Sequence, residues 1–553
     1  MSARSPSAAR STHPWVVLLV LSLGLFMTLL DLTIVNVAIP RIVDGVHASL
    51  DQVLWMLNAY SLTYAVLLIT SGRIGDIIGP RTMFMLGLVL FTAASAFSGV
   101  SSTPEMLIAG RALQGVGAAM LAPQSLPILL TLFPVEKRAP VFAVYGIIAG
   151  IAVVVGPTLG GFLVSNYGWQ WIFYINLPVG AAVLLATLRL VPDIRPGRSH
   201  RLDFIGVALI SAALFCLVFG LIEGQRYNWG SINGFLSIPL ILGVGIALLV
   251  IFAINQARRQ QHEPLLSFAV FRDRNFTIMT LVLSAMGFAI VGIYLPLTIY
   301  LQSVLGLSAI AAGLVIAVQP GAMFFASGGA NGAGAKADPK YLLVPGLFLL
   351  AAGSAWIAWV VTATGSRWSL VPGLVVGGVG MGLIWGPVYN IATRDLAPSL
   401  AGVASGVLNT IQELGAVIAS ASVGALLQNR LAISLHDEAV QAATQLPPQF
   451  AQRFVAGFSN AAAGGFEVGA GQTGGNFSLP PGTPPDVAQH VAALAHSVFA
   501  NGFVDAMRPT LILPIAVIVA AGIVAMAVRP RRASPAVATA GEAEIALTAG
   551  EPA

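Results

Sequence analysis

Long apolar stretches recur along almost the whole of this chain, and they restrict the folds that are open to it. The 553 residues are 57% hydrophobic and only 9% charged, whereas soluble globular chains carry about 25% charged residues. An α-helix needs about 20 apolar residues to cross a bilayer core of roughly 30 Å. The stretches therefore predict an all-α integral membrane protein that crosses the bilayer many times.

About fourteen apolar stretches are long enough to count as spans, in a first group of six, a pair and a last group of six. The first run, Pro14–Ile39, is too long for a signal peptide, so we interpret it as an uncleaved span. The predicted spans are 15–37, 53–71, 82–100, 105–130, 140–165, 171–190, 204–223, 235–254, 276–300, 309–329, 341–362, 370–391, 402–427 and 507–528.

The basic residues test this map independently. If the N-terminus lies inside, twenty of the 27 Lys and Arg residues fall on the inner side, six fall outside, and Arg111 lies within a span. Cytoplasmic segments are enriched in Lys and Arg. The distribution therefore predicts an even number of spans with both termini in the cytoplasm.

The spans divide the chain into successive regions. Residues 429–500 form a long outside loop in the second bundle, with a membrane-surface cap as the alternative. A Gly-x3-Asp spacing occurs at 72–76 and again at 334–338, as expected for the related halves common in secondary transporters. The regions are a cytoplasmic N-terminus at 1–14, a six-helix bundle at 15–190, two inserted helices with cytoplasmic linkers at 191–275, a second six-helix bundle at 276–528, and a disordered cytoplasmic tail at 529–553.

Two residues of opposite charge lie inside predicted spans, Asp31 in the first and Arg111 in the fourth. A charge near the bilayer centre costs about 2.5–3.5 kcal/mol on insertion scales, so such residues are functional by default. Each lies roughly 9 Å below the outer boundary, at 1.5 Å per residue. We expect them to pair, directly or through Gln114, so that small movements load and unload a proton. A static structural ion pair is the alternative.

Glu413 is the deepest acid of the second half and lies near the middle of the thirteenth predicted span. It is suited to carry a proton or to meet a cationic substrate, and a purely structural role is the alternative. We count it with Asp31 and Arg111 as a proton-coupling candidate. The predicted substrate cavity is lined by Asn36, Gln114, Asn409 and Glu413.

Segment 72–84 follows the second predicted span and contains Gly72, Asp76, Gly79 and Arg81. Glycines permit a tight turn and a close approach of helices. The two charged residues would then lie at the cytoplasmic ends of neighbouring helices. We interpret the segment as a conformational latch, with a plain connecting loop as the alternative.

Taken together, these segments resemble the major facilitator superfamily, specifically its fourteen-helix drug:proton antiporter branch. Residues 72–84 resemble the loop motif of the family, 107–119 the arginine motif of its fourth helix, and 156–161 its antiporter motif. The Asp31 segment and 169–178 are similar to the fourteen-helix branch in particular. The resemblance implies two six-helix bundles plus two inserted helices, and proton-driven export of amphipathic drugs by alternating access.

The antiporter motif comprises Gly156, Pro157, Gly160 and Gly161 in the fifth span. Small residues let helices pack closely, and proline can bend a helix. The sequence departs from the family pattern at three positions. Basic residues are usual at Ile77 and Pro80, and glycine is usual at Ala152.

Other classes of function fit less well. The chain has no Gly-x4-Gly-Lys-Ser/Thr loop for an ATP-driven pump, and its seven histidines and single Cys216 show no metal-ligand spacing. We expect no enzymatic activity, cofactor, metal or nucleic acid. The expected partners are a small-molecule substrate, protons and the lipid bilayer, for a monomer in a bacterial plasma membrane. The alternatives are a dedicated exporter of an endogenous antibiotic or lipid, a proton symporter and a non-transporting membrane sensor.

Overall fold

The structure is a computed structural model, and nearly all of the residues it describes are helical. It describes residues 13–48, 50–193, 203–224, 227, 229–260, 264–334, 338–397, 400–446, 451–458 and 485–530. Most of the predicted N-terminal segment 1–14 and nearly all of the predicted disordered tail 529–553 lie outside these residues.

The N-terminal half contains eight helices. Their bounds are α1 Pro14–Val46, α2 Leu50–Ile78, α3 Pro80–Gly99, α4 Pro104–Leu121, α5 Ser125–Leu132, α6 Val135–Asn166, α7 Trp171–Tyr174 and α8 Asn176–Leu190. A 3₁₀ turn at Ala122–Gln124 joins α4 to α5, so that Pro104–Leu132 forms one span. Helices α7 and α8 likewise share one span, Trp171–Leu190.

Two helices and a short hairpin connect the halves. Their bounds are α9 Phe204–Glu223, β1 Ser231–Asn233, β2 Leu236–Ser237 and α10 Ile238–Arg258. The buried carboxylate of Asp203 caps α9 by accepting from the backbone N–H of Gly206 at 3.0 Å. It also accepts from Gln256 and Arg259, both at 2.7 Å. One carboxylate therefore ties the inserted helices together at one end.

In the C-terminal half, residues 451–458 are helical, and eight further helices have described bounds. Their bounds are α11 Ala269–Arg272, α12 Arg274–Ile299, α13 Ala309–Ile316, α14 Val318–Gly334, α15 Lys340–Val360, α16 Val371–Thr393, α17 Ala401–Ala443 and α18 Pro485–Ala525. Several helices begin where the sequence supplies a cap. Thr103, Asp273 and Ser308 each accept a hydrogen bond from a free N–H in the first turn of α4, α12 and α13.

The predicted all-α membrane fold is confirmed. Twelve helices among the described residues are long and apolar enough to cross a membrane, and each overlaps one predicted span. The predicted span 140–165 lies within α6, which has 32 residues. The predicted span 309–329 corresponds to α13 and α14, which contain the shorter apolar segment Ala311–Ser327. All of the predicted spans therefore fall on helices.

The two halves meet along pairs of helices. Helix α2 packs on α17, and α6 packs on α13, α14 and α16. At Gly406 of α17 a side chain would meet the backbone of Leu68 and Ile69 of α2. Helix α9 packs mainly on α10 and on α2, while α10 exposes most of its apolar surface. The inserted pair therefore lies at the periphery of the two bundles, where its apolar surface faces lipid.

Two predicted boundaries differ from the structure. Helix α2 continues through Gly72 and Asp76 to Ile78, so those residues lie in its last turns and not in a loop. Helices α17 and α18 extend into the predicted loop 429–500 from both sides. The reason is that apolar residues continue at helical spacing and form a core outside the predicted spans. That core includes Leu431, Leu435, Phe454, Phe458, Val498, Phe499 and Phe503. The Gly-rich and Pro-rich linkers between residues 459 and 484 lie outside the described residues.

Candidate functional site

A buried ion pair lies within the N-terminal half. Arg111 of α4 donates to Asp31 of α1, and the two side chains are 1% and 0% exposed. Gln114 donates to the second carboxylate oxygen of Asp31 at 3.0 Å, and Asn176 donates to the same oxygen at 3.1 Å. Ser95 accepts hydrogen bonds from both amides at 3.1 and 3.0 Å. The carboxylate therefore has a charged donor on one oxygen and two neutral donors on the other, which offset its loss of hydration.

The predicted pairing of Asp31 with Arg111 is present, both directly and through Gln114, which also accepts from Arg111 at 2.9 Å. Sequence reasoning missed Asn176 and Ser95, which complete the cluster from α8 and α3. The signal for Asn176 was a buried amide inside an otherwise apolar predicted span.

Tyr60 of α2 connects the ion pair to its surroundings. The guanidinium of Arg111 lies over the Tyr60 ring, with 4.5 Å from Cζ to the ring centroid. The Tyr60 hydroxyl donates to the backbone carbonyl of Thr28 on α1 at 3.2 Å. The ring also stacks on Tyr64, one turn further along α2, with 6.1 Å between centroids. Sequence reasoning missed Tyr60 because tyrosines are common in membrane helices.

A cavity of about 130 Å³ opens between the two halves beside this cluster. Glu413 of α17 lies on its wall, and the side-chain carbonyl of the neighbouring Gln412 has no hydrogen-bond partner among the described residues. Aromatic rings from both halves face it, including the stacked pair Trp385 and Tyr389 on α16. The lining residues are Leu25, Thr28, Leu29, Leu32, Tyr60, Tyr64, Ala122, Ser125, Leu126, Leu129, Tyr145, Trp385, Tyr389, Ser405, Asn409, Gln412 and Glu413.

Only some of the residues predicted to line the cavity lie on its wall in the structure. Glu413 and Asn409 line the cavity, and Asn409 donates to the backbone carbonyl of Ser405 at 2.8 Å. Gln114 instead lies in the ion cluster and is fully buried. The side chain of Asn36 is outside the described part of the molecule. The cavity thus combines one acid, amides and aromatic rings, a lining suited to an amphipathic organic molecule.

Helix α6 approaches α1 next to the ion pair through small residues of the predicted antiporter motif. A side chain at Gly156 would collide with the hydroxyl of Thr33, and one at Gly160 would collide with Ile34. Gly161 is half-buried, and the side chain of Pro157 lies outside the described residues. The close contact holds α6 against the turn of α1 that follows Asp31.

Gly156→Ala is expected to destabilise the protein and to reduce efflux, because the added methyl group pushes α1 away from α6. Overpacking of this kind costs about 1–3 kcal/mol. Gly424→Ala is the matched control, because nothing lies within 4 Å of its added Cβ. Thermal unfolding in detergent measures the difference. Equal melting temperatures for the two variants would contradict the importance of this contact.

The predicted latch residues lie at the ends of α2 and α3. Gly79, at a φ of 99°, separates the two helices, and this left-handed conformation favours glycine. Asp76 is buried on the last turn of α2 near Arg73. Arg81 donates to the backbone carbonyl of Leu188 on α8 at 2.6 Å. The structure thus joins Arg81 to α8 within its own half.

The corresponding end of the second half carries a similar polar cluster. Asp338, the last residue of the predicted repeat, forms an ion pair with Arg394 at 3.5 Å. Arg394 donates to the backbone carbonyl of Arg529 at 2.5 Å, and Lys340 donates to that of Val528 at 2.9 Å. Residues 335–337 lie outside the described residues.

Comparisons with known proteins agree with this architecture. Residues 21–420 match the sequence profile of the Major Facilitator Superfamily. The chain is 38% identical over 440 residues to an uncharacterised MFS-type transporter of Mycobacterium tuberculosis, covering 78% of this chain and 73% of that protein. It is 32% identical over 507 residues to the tetracenomycin C resistance and export protein of Streptomyces glaucescens, covering 90% and 89%.

A crystal structure of the human organic anion transporter MFSD10 (TETRAN) shares the fold with a TM-score of 0.56 and 14% identity. The match covers 93% of this chain and 100% of that one. Because the superfamily consists of membrane transporters, the expectation of a multi-pass transporter and not an enzyme is confirmed. From its sequence match and its helical architecture, the chain belongs to the major facilitator superfamily.

Proposed function

We propose that this protein is a proton-driven exporter of amphipathic small molecules that works by alternating access. One observation carries the proposal. A fully buried Asp31–Arg111 pair lies beside a cavity between the two halves whose wall carries Glu413. Buried ionisable groups are costly in a membrane and mark proton and substrate pathways. A cavity between two repeated halves can be exposed alternately to the two sides.

The roles follow from position. Asp31 is the proton-carrying carboxylate, and Arg111 and Gln114 tune the cost of its ionised form. Glu413, Asn409 and the aromatic wall contact the substrate. The segment from Gly72 to Arg81 acts as the conformational latch. Both termini face the cytoplasm, as the distribution of basic residues favours.

Export against the gradient is tested directly with ethidium, a fluorescent aromatic cation. Cells that overproduce the protein are loaded with ethidium, and its efflux is followed with and without an uncoupler. The expected result is rapid efflux that the uncoupler abolishes. Efflux that persists unchanged after the proton gradient has collapsed would remove proton coupling from the proposal.

Glu413→Gln is expected to reduce ethidium efflux by about tenfold or more, equivalent to about 1.4 kcal/mol. The variant removes the carboxylate on the cavity wall while the ion cluster on α1 and α4 is untouched. Export of chloramphenicol, an uncharged aromatic molecule, is expected to change little. Parallel efflux assays with the two compounds measure the difference. Loss of both activities would instead identify Glu413 as a coupling residue.

A dedicated exporter of a self-made antibiotic is the second candidate. The observation that favours it is the similarity along 90% of the chain to a protein named for resistance to one antibiotic, tetracenomycin C, and for its export. Resistance of overproducing cells to a panel of unrelated compounds separates the two. Resistance to several chemical classes supports a multidrug exporter, whereas resistance to one class supports a dedicated exporter.

A further inference from the structure

Tyr60 touches both parts of the site. One face of its ring lies against the guanidinium of Arg111, and its hydroxyl bonds to the backbone of Thr28, three residues before Asp31. The side chain is 2% exposed, yet it also lines the cavity together with Tyr64. It is therefore held by the ion cluster on one side and borders the substrate space on the other.

The ion pair itself does not reach the cavity. Asp31, Arg111 and Gln114 are not among the described residues that line the cavity. Their polar atoms bond to one another, to Ser95 and to the backbone carbonyl of Met56. A molecule in the cavity can therefore influence Asp31 only through intervening groups. Tyr60 is placed for this because its ring contacts Arg111 and stacks on Tyr64.

The charged and titratable groups around Tyr60 come from several helices. Arg111 on α4 lies over its ring, and Asp31 on α1 is paired with Arg111. Glu413 on α17 lines the same cavity as Tyr60. Next to it, Tyr64 lines this cavity together with Glu413 and the two further tyrosines Tyr145 on α6 and Tyr389 on α16. The groups supplied by α3 and α8, Ser95 and Asn176, are neutral. Tyr60 thus lies between the acid of one half and the acid of the other.

We propose that Tyr60 is the positioning residue through which occupancy of the cavity changes the protonation of Asp31. A cation over an aromatic ring gains about 0.5–2 kcal/mol, and the gain depends on the placement of the ring. A substrate that packs on Tyr64 and Tyr60 displaces the Tyr60 ring and shifts Arg111 relative to Asp31. The ionised form of Asp31 then changes in stability. The inference rests on the proposed proton-driven export and adds the connection between its two sites.

Thermodynamic linkage allows the coupling between substrate binding in the cavity and protonation of Asp31 to be measured at equilibrium. If the substrate alters proton affinity at Asp31, protonation alters substrate affinity by the same factor. Ethidium binding is measured by fluorescence on the purified full-length protein in lipid nanodiscs, at low and at neutral pH. Wild-type affinity is expected to rise by about tenfold toward neutral pH, within the usual range of coupling. Glu413 on the cavity wall is a second titratable acid, so every protein compared, the wild type included, carries Glu413→Gln in addition. Asp31→Asn on that background provides the reference without pH dependence.

Three variants isolate the contribution of the ring. Tyr60→Leu is expected to bind ethidium with an affinity that varies less than about twofold with pH, like Asp31→Asn. Tyr60→Phe retains the ring on Arg111 and is expected to keep the wild-type pH dependence. Tyr64→Leu also alters the cavity wall but leaves Arg111 covered, so it is expected to weaken binding equally at both pH values.

The possible outcomes separate the two proposals. Wild-type pH dependence that survives in Tyr60→Leu, or that disappears in Tyr60→Phe, overturns the role of the Tyr60 ring alone. Wild-type protein that does not bind ethidium, or binds it with no pH dependence, contradicts the proposed function as well. So does pH dependence that persists in Asp31→Asn. If Tyr60→Leu does not fold, Tyr60→Met replaces it with a side chain of similar length.

Discussion

Replacing Asp31 with Asn is expected to abolish uncoupler-sensitive efflux while the protein still inserts and folds. Asparagine has nearly the same shape as aspartate and its carbonyl can still accept from Arg111, so the packing of α1 against α4 and α8 is retained, although the uncompensated charge of Arg111 lowers stability. It cannot ionise, and a proton therefore cannot be loaded and released at this position. Ethidium efflux from overproducing cells measures the effect, and it should fall to the rate of passive leak.

Two controls make the Asp31→Asn result specific. The amount of protein in the membrane must match that of the wild type. Glu105→Gln removes an exposed carboxylate in the first turn of α4, where Glu105 accepts from Gln52 at 2.7 Å, and should leave efflux unchanged. Wild-type efflux by Asp31→Asn would remove Asp31 from the coupling mechanism.

Arg111→Ala is expected to be at least as damaging to transport, and it should also lower stability. It leaves the Asp31 carboxylate buried with only Gln114 and Asn176 as donors. Removal of one partner from a buried ion pair costs about 3–5 kcal/mol, because the remaining charge is uncompensated. The variant also removes the cation from the face of Tyr60. Thermal unfolding and ethidium efflux are the measurements.

The double variant Arg111→Ala with Asp31→Asn tests the cause of the lost stability. With no charge left in the cluster, much of the stability lost in Arg111→Ala should return, although transport should not. Non-additivity of this kind is expected for residues in direct contact. A double variant as unstable as Arg111→Ala would show that the arginine contributes through packing and not through its charge on Asp31.

Much of the site could be anticipated from single residues. Asp31, Arg111 and Glu413 stand out because charge is rare within apolar spans, and the equal depths of Asp31 and Arg111 predicted their contact. The positions of Asn409 and Gln114 were harder to distinguish, since both are amides in spans. The structure places one on the cavity wall and the other against Asp31. Rotation of each helix about its own axis decides this difference, and that rotation depends on packing with neighbouring helices.

The sequence by itself determined that the fold is built in a lipid bilayer and where its spans lie. Apolar length sets the spans because a bilayer has a nearly constant thickness, and the distribution of Lys and Arg predicts their direction. These are local or additive properties of the chain. They allowed an all-α membrane protein with two six-helix groups and an inserted pair to be predicted before any contact was known.

Only the tertiary structure decided which side chains meet across large separations in the chain. Asn176 reaches Asp31 from 145 positions away, and Tyr60 lies beneath Arg111 while also facing the cavity of Glu413. The extension of α17 and α18 beyond their predicted spans likewise depends on a core that the two helices share with segment 451–458 and with the end of α12. Such contacts arise from close packing of several helices at once, which no local pattern specifies.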